Sequence, residues 1–147
     1  MAEMVDHPTH YKSADGSEVI DVIAKATEYL TGIEAFDVGN MIKYICRWKW
    51  KNGLEDVKKC RWYARHLYSH VYTKRNLTNK IPPADYIEFV HNSADSFTKN
   101  LNGAEYLNTH SILCDALMWM YDHQHSRLVR IINTCDGLIN TQERKMN

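Results

Sequence analysis

Four polar and cationic side chains recur at helical spacing in the second quarter of the sequence: Asn40, Lys43, Arg47 and Lys51. The intervals of three, four and four residues place them on one face of an α-helix, with Tyr44 beside them. Arginine offers a forked pair of donors and lysine a mobile point charge, which together suit the oxygens of a polyphosphate. The row therefore predicts a phosphate-binding face, with a merely solvated basic stripe as the alternative.

Positive charge is concentrated around this row, although the chain as a whole is neutral, with 18 basic and 18 acidic residues. Residues 40–75 hold ten lysines and arginines but only Glu55 and Asp56 as acids. A second basic row follows at similar spacing: Lys58, Arg61 and Arg65. Aromatic residues lie among these cations: Trp48, Trp50, Trp62, Tyr63 and Tyr68. The segment is suited to bind an anion such as a nucleotide, with rings that stack on a base, while core packing accounts for at least half of the rings.

Histidines supply the remaining candidates for proton chemistry. His7 and His10 flank Pro8 in an N-terminal arm, where protonated imidazoles can bind phosphate or neutral ones can accept a proton. An incidental pair is the alternative. His66 and His70 are four residues apart on one helical face, but no carboxylate or thiol is placed to complete a zinc site. We therefore expect no bound metal.

The sequence lacks the glycine-rich loops that cradle phosphate, both Gly-x-x-x-x-Gly-Lys-Ser/Thr and Gly-x-Gly-x-x-Gly. Any phosphate would be held by helical side chains. No apolar run reaches the length of a membrane span, and no basic segment leads into an apolar stretch at the start. The four cysteines form no Cys-x-x-Cys pair, which predicts reduced thiols. We expect a single cytoplasmic domain over residues 1–147 without membrane contact.

Sparse glycine and proline, with apolar residues three and four apart, predict an all-α fold. We expect an antiparallel helical bundle of about five to six helices, preceded by an irregular arm over residues 1–16. The predicted helices span about 18–30, 34–52, 54–75, 84–101 and 104–139, the last with a break near 123–126. Residues 76–84 form a linker, residues 76–147 a helical extension for packing or oligomerisation, and residues 141–147 a frayed end.

Several short motifs occur in a fixed order over about residues 5–70. They are His7-Pro-Thr-His10-Tyr11, Glu18-Val-Ile-Asp-Val-Ile, Gly39-Asn40-Met-Ile-Lys43-Tyr44-Ile-Cys-Arg47, Lys51-Asn-Gly53-Leu-Glu55-Asp56-Val-Lys58-Lys and Trp62-Tyr63. In order and spacing this segment resembles a phage protein family, domain of unknown function 3310. The best-known member of that family is the small nucleotide kinase of T7-like phages.

The resemblance implies a phage protein that acts on deoxynucleotides in the cytoplasm of the infected host. It implies a kinase that transfers phosphate from a nucleoside triphosphate to a deoxynucleoside monophosphate such as dTMP or dGMP. It also implies that the reaction needs no phosphate-binding loop, no cofactor and no divalent metal. Phosphoryl transfer depends chiefly on positioning and on neutralising charge, so lysine and arginine can supply the charge that magnesium usually provides.

Residue roles follow from the same resemblance. The catalytic candidates are Arg47 as transition-state clamp, Lys43 as a neutralising cation and His10 for proton handling or phosphate contact. Asn40 and Tyr44 would orient the nucleotide, and Asp56 would orient a neighbouring lysine or a sugar hydroxyl. The full set of candidate substrate-binding residues is His7, Tyr11, Asn40, Tyr44, Lys51, Asp56, Lys58 and Trp62.

Other functions remain open on the sequence alone. One is a module that binds or sequesters nucleotides without turning them over. Another is an all-α nucleoside triphosphate pyrophosphohydrolase, which needs clustered acids for magnesium; Glu34 and Asp37 keep this alternative open. Nucleic-acid binding is the weakest alternative, because the net charge is zero and no recognition motif is present.

The second half of the chain also predicts self-association. Met118, Trp119, Met120 and Tyr121 form an apolar run that exceeds what one short bundle layer covers. We therefore expect a homo-oligomer that binds nucleotides.

Overall fold

The computed structural model describes residues 12–13, 16–74 and 80–146. These residues form six α-helices: α1 (Val19–Ala26), α2 (Gly32–Arg47), α3 (Leu54–Val71), α4 (Ala84–Thr98), α5 (Gly103–Asp122) and α6 (His125–Met146). A short 3-10 helix, Trp48–Trp50, follows α2 directly. The predicted all-α class and helix number are confirmed. The candidates His7, His10 and Tyr11 lie outside the described residues.

Four helices form an antiparallel bundle in which each contacts two neighbours. Helix α2 packs on α3, α3 on α6, α6 on α5 and α5 on α2. Helix α1 packs mainly on α2, and α4 packs on α5. Each core helix turns apolar residues inward at intervals of three and four; in α3 these are Val57, Cys60, Ala64, Leu67 and Val71. The bundle thereby holds α2 and α3 side by side.

The ends of the helices have identifiable local causes. Helix α1 stops earlier than predicted, where the Thr27 hydroxyl donates to the Ile23 carbonyl at 2.8 Å. Gly53 lies before α3 with φ of 59°, a backbone conformation that favours glycine and that allows the sharp return of the chain. The predicted break between α5 and α6 falls at His123, which is left-handed with φ of 50°.

Helix α6 continues through Met146, so the predicted fraying of residues 141–147 is wrong for the described part of that segment. Two of its side chains make contacts there: Gln142 donates to Glu105 at 2.9 Å, and Glu143 pairs with Lys58 at 3.4 Å. These contacts give the last turns of α6 partners on α5 and α3.

The apolar run at the end of α5 packs inside the monomer. Trp119 is fully buried and Met120 nearly so, while Met118 and Tyr121 are partly buried against the core. The surface on which the expectation of self-association depended is therefore mostly core. Self-association stays a prediction, without this support.

All four cysteines are free thiols, and Cys46, Cys60 and Cys135 are buried in the core. Across the described ranges, no helix is both long enough and apolar enough to cross a membrane.

Candidate functional site

Three cations from two helices surround the ring of Tyr44. The Lys43 Nζ lies 5.0 Å from the ring centroid, the Arg47 guanidinium carbon 4.8 Å and the Lys59 Nζ 5.3 Å. Cations over an aromatic face are attracted by its quadrupole, so the ring holds them together despite their mutual repulsion. We call Lys43, Tyr44, Arg47 and Lys59 the cationic seam.

Arg47 is committed to a buried ion pair within the protein. Its Nε and Nη2 donate to the two carboxylate oxygens of Asp56 at 3.1 and 3.2 Å, and the arginine is only 4% exposed. Asp56 is fully buried and also accepts from the backbone and side-chain amides of Asn52 at 3.4 and 3.5 Å. The pair fastens the end of α2 to the start of α3. Its geometry favours a structural role for both residues, and their predicted contacts with substrate stay predictions.

The members of the second basic row on α3 form ion pairs with α6. Arg61 and Arg65 pair with Asp136 at 2.6 and 3.8 Å, and Lys58 pairs with Glu143 at 3.4 Å. Carboxylates of α6 therefore neutralise this row. The Lys58 side chain pairs with α6, and this position gives no support to its predicted role in substrate binding.

Lys59 was missed by sequence reasoning, although it follows Lys58 directly. Adjacent residues on a helix point about 100° apart, so only the phase of α3 decides which lysine faces α2. Lys59 also pairs with Glu55 at 3.3 Å, on an exposed helix surface. Such a pair contributes little stability, so the lysine can exchange it for another anion.

Aromatic side chains continue the seam toward the start of α2. Tyr44 and Tyr63 stack with centroids 5.9 Å apart and planes 13° apart. Phe36 and Trp62 each meet the Tyr63 ring edge-on, at 5.8 and 5.0 Å, and each is 56% exposed. We call Phe36, Tyr44, Tyr63 and Trp62 the aromatic patch. Two of its rings offer flat apolar surface to solvent beside the lysines.

The other tryptophans of the segment have different settings. Trp48 is core, with its indole N–H donating to the Thr109 hydroxyl at 3.1 Å. Trp50 is 55% exposed on the 3-10 helix. Trp62 is thus the predicted aromatic candidate that the fold places next to the cationic seam.

A carboxylate and an imidazole meet at the edge of the aromatic patch. His66 Nδ1 lies 2.7 Å from Asp37 Oδ2, and the His66 ring stacks on Trp62 with centroids 5.0 Å apart and planes 9° apart. Burial raises the pKa of Asp37, and the contact with His66 opposes that shift. The other oxygen of Asp37, Oδ1, is buried without a hydrogen-bond partner among the described residues.

Sequence reasoning paired His66 with His70 as possible metal ligands, whereas the fold pairs His66 with Asp37 on the neighbouring helix. No group of three or more His, Cys, Asp or Glu side chains is arranged to hold a metal ion within the part of the chain described. Glu34 and Asp37, the acids behind the pyrophosphohydrolase alternative, therefore do not belong to such a group.

The remaining candidates, Asn40 and Lys51, make contacts with residues close to them in sequence. Asn40 donates from Nδ2 to the Phe36 carbonyl at 2.9 Å, one turn back on α2. Lys51 follows the 3-10 helix with an exposed side chain, and its backbone N–H donates to the Arg47 carbonyl at 3.1 Å. Asn40 and Lys43 thus lie on α2 with Tyr44, while Trp62 is connected to the Tyr44 ring through Tyr63.

Comparisons with known proteins give one match. Residues 5–65 match a family described as a protein of unknown function, DUF3310. Neither the curated proteins nor the solved structures give a match. The matched segment contains α1, α2 and most of α3, together with the whole cationic seam. The resemblance noted from the sequence motifs is thus confirmed for this segment: residues 5–65 are similar to the DUF3310 family.

Proposed function

We propose that the protein binds nucleotides on the α2–α3 face and transfers phosphate from a nucleoside triphosphate to a deoxynucleoside monophosphate of the dTMP or dGMP class. One observation carries the binding part of this proposal: cations from two helices converge on the Tyr44 ring, beside exposed aromatic rings. A nucleotide has the matching chemistry, since it joins a polyanion to a flat base.

The phosphates would interact with Lys43 and Lys59. Each lysine brings a mobile ammonium from a different helix, so that one phosphate can contact both. Arg47 lies behind them, held by Asp56, and adds positive potential without leaving its ion pair. Phosphoryl transfer requires in-line positioning and neutralised charge, which a rigid two-helix platform with such lysines can supply.

The transfer step rests on the resemblance to the phage family, and the geometry supports it through the cationic seam. We place the activity in the cytoplasm of an infected cell, as the same resemblance implies. Nucleotide sequestration without turnover uses the same face and is the second candidate. The pyrophosphohydrolase alternative has less support, because its expected acids, Glu34 and Asp37, do not form a metal-holding group in the described residues.

The test is an assay of the purified full chain with dTMP or dGMP and several triphosphate donors, once in EDTA and once with magnesium. Diphosphate product separated by anion-exchange chromatography supports the kinase. The K43A and K59A variants are expected to lose activity. K99A, which removes an exposed lysine at the end of α4, serves as the matched control.

Two further outcomes decide between the alternatives. Nucleotide that binds in calorimetry and is recovered intact under all conditions identifies a sequestering protein. Pyrophosphate released from a triphosphate only with magnesium identifies a pyrophosphohydrolase. Absence of nucleotide binding at micromolar protein refutes the proposal as a whole.

A further inference from the structure

The exposed Trp62 side chain is supported from behind by two further side chains, His66 and Asp37. The exposed indole stacks almost parallel on the His66 ring, with 9° between the planes. His66 is in turn fixed by the 2.7 Å contact with Asp37, which is fully buried. An exposed tryptophan on a helix ordinarily samples several rotamers. Here a second ring and a buried acid restrict it.

The burial of Asp37 is energetically unfavourable, and core packing does not explain it. Asp37 is buried, burial raises its pKa, and its Oδ1 has no hydrogen-bond partner in the described ranges. An unsatisfied buried acceptor destabilises a fold, because its hydrogen bonds to water are lost and not replaced. The contact it does make holds His66 in one orientation. Asp37 is therefore a positioning residue for the ring pair on the surface.

The ring pair follows the lysines along the face, with Trp62 one helical turn from Lys59 and His66 two turns away. On α3, Trp62 is three residues from Lys59, or about 4.5 Å along the axis at 1.5 Å per residue, and its stacking partner His66 is seven residues away, or about 10 Å. On α2, Asp37 is six residues from Lys43, or about 9 Å by the same rise. The base and the phosphate of a nucleoside monophosphate are separated by a distance within this range.

We infer that the nucleotide lies along the α2–α3 seam, with its base stacked on Trp62 and its phosphates at Lys43 and Lys59. This inference rests on the proposed function and adds a separate base subsite of Trp62, His66 and Asp37. Stacking is tolerant of base identity because every base has a flat π-face. The subsite therefore contributes affinity for a base and leaves the choice among bases to other contacts.

The test compares a ligand with a base and one without it: dGMP and 2-deoxyribose 5-phosphate, with dissociation constants from calorimetry. In W62A the preference for dGMP over the base-free sugar phosphate is expected to fall at least about fivefold. W50A is the matched control, because Trp50 has the same exposure on a different surface. K59A is expected to weaken both ligands together and to leave their ratio unchanged.

A fluorescence measurement provides a second readout. In a W50F background, dGMP is expected to quench the fluorescence of Trp62, while the emission of the buried Trp48 and Trp119 stays unchanged. Adding W62F to this background is expected to abolish the quenching. Asp37 is tested by D37A, which frees His66 and is expected to reduce the preference for dGMP. D37N keeps an acceptor oxygen for His66 and is expected to retain the wild-type preference for dGMP.

The outcomes separate the two proposals. If the wild-type chain binds dGMP but W62A retains the wild-type preference and the quenching does not depend on Trp62, the base subsite is refuted and the proposed function survives. If no nucleotide binds the wild-type chain, both are refuted. Far-UV circular dichroism of each variant confirms that an observed loss is not unfolding.

Discussion

The ion pair between Arg47 and Asp56 provides the sharpest test of how the site is built. Both side chains are almost completely buried, and two hydrogen bonds of 3.1 and 3.2 Å join them. In R47M the Asp56 carboxylate would remain buried with only the Asn52 amides, at 3.4 and 3.5 Å, as donors. Removing one member of a buried pair costs about 3–5 kcal/mol, because a buried charge loses its partner.

That loss is large relative to the total stability of an ordinary domain, about 5–15 kcal/mol. For a chain of 147 residues, each kcal/mol shifts Tm by about 2–4 °C, so R47M is expected to melt about 6–20 °C lower than wild type. Urea unfolding followed by circular dichroism at 222 nm gives the free energy directly. D56N removes the charge but keeps an acceptor oxygen for Asn52.

The double variant R47M/D56N decides whether the buried charge is the cause. It is expected to be more stable than R47M, since no unpaired carboxylate remains. K99A, which removes the exposed lysine directly after α4, serves as the control for loss of a cation. Its free energy of unfolding should stay within about 0.5 kcal/mol of that of the wild type. The reasoning is refuted if R47M costs less than about 1 kcal/mol, or if D56N adds a further loss on top of it.

Three other predictions concern the cationic seam, the buried Asp37 and the core. K59A is expected to weaken dGMP binding at least about tenfold in calorimetry, which is the contribution of one hydrogen bond to a charged group. K58A removes a lysine that pairs with α6, and it should bind dGMP like wild type. Burial raises the pKa of Asp37, so the folded state binds its proton more tightly than the unfolded state does. The free energy of unfolding of the wild type, relative to that of D37N, should therefore fall as pH rises from about 4. Urea titrations at successive pH values measure this difference, and a difference that does not change with pH would contradict the prediction. W119A is expected to lose about 3–5 kcal/mol of unfolding free energy by leaving a core cavity; a stable variant with an altered mass in sedimentation would instead indicate an interface.

The helical architecture was accessible from the sequence because it depends on local periodicity. Apolar residues at intervals of three and four located all six helices, and Gly53, which falls between the predicted helices 34–52 and 54–75, has the positive φ that allows the turn between α2 and α3. The end of α1 was misplaced because the chain leaves the helix at Thr27, whose hydroxyl bonds back to the Ile23 carbonyl, and no glycine or proline marks that position in the sequence. The end of α6 was misplaced because its last turns are stabilised by contacts with α3 and α5, which no local pattern records.

The site was only partly accessible because its contacts join distant positions. Lys43 and Tyr44 were predicted from spacing within one helix, and the fold places both at the seam. Asp37 and His66 are 29 residues apart, and nothing in either local sequence indicates that they meet. Lys58 was chosen over Lys59 because a spacing rule fixes which residues share a face but not which face turns toward α2.

The different settings of Arg47 and the lysines determine which variants can report on function. Substituting Arg47 disturbs a buried pair that connects α2 to α3, so a loss of activity in that variant cannot be separated from a loss of structure. Lys59 is 39% exposed and pairs with an exposed glutamate, so its removal changes the charge of the face at little cost to the fold. If K59A keeps the wild-type free energy of unfolding and loses nucleotide affinity, the seam binds phosphate. If it keeps both, the convergence of cations on Tyr44 serves only to pack the two helices.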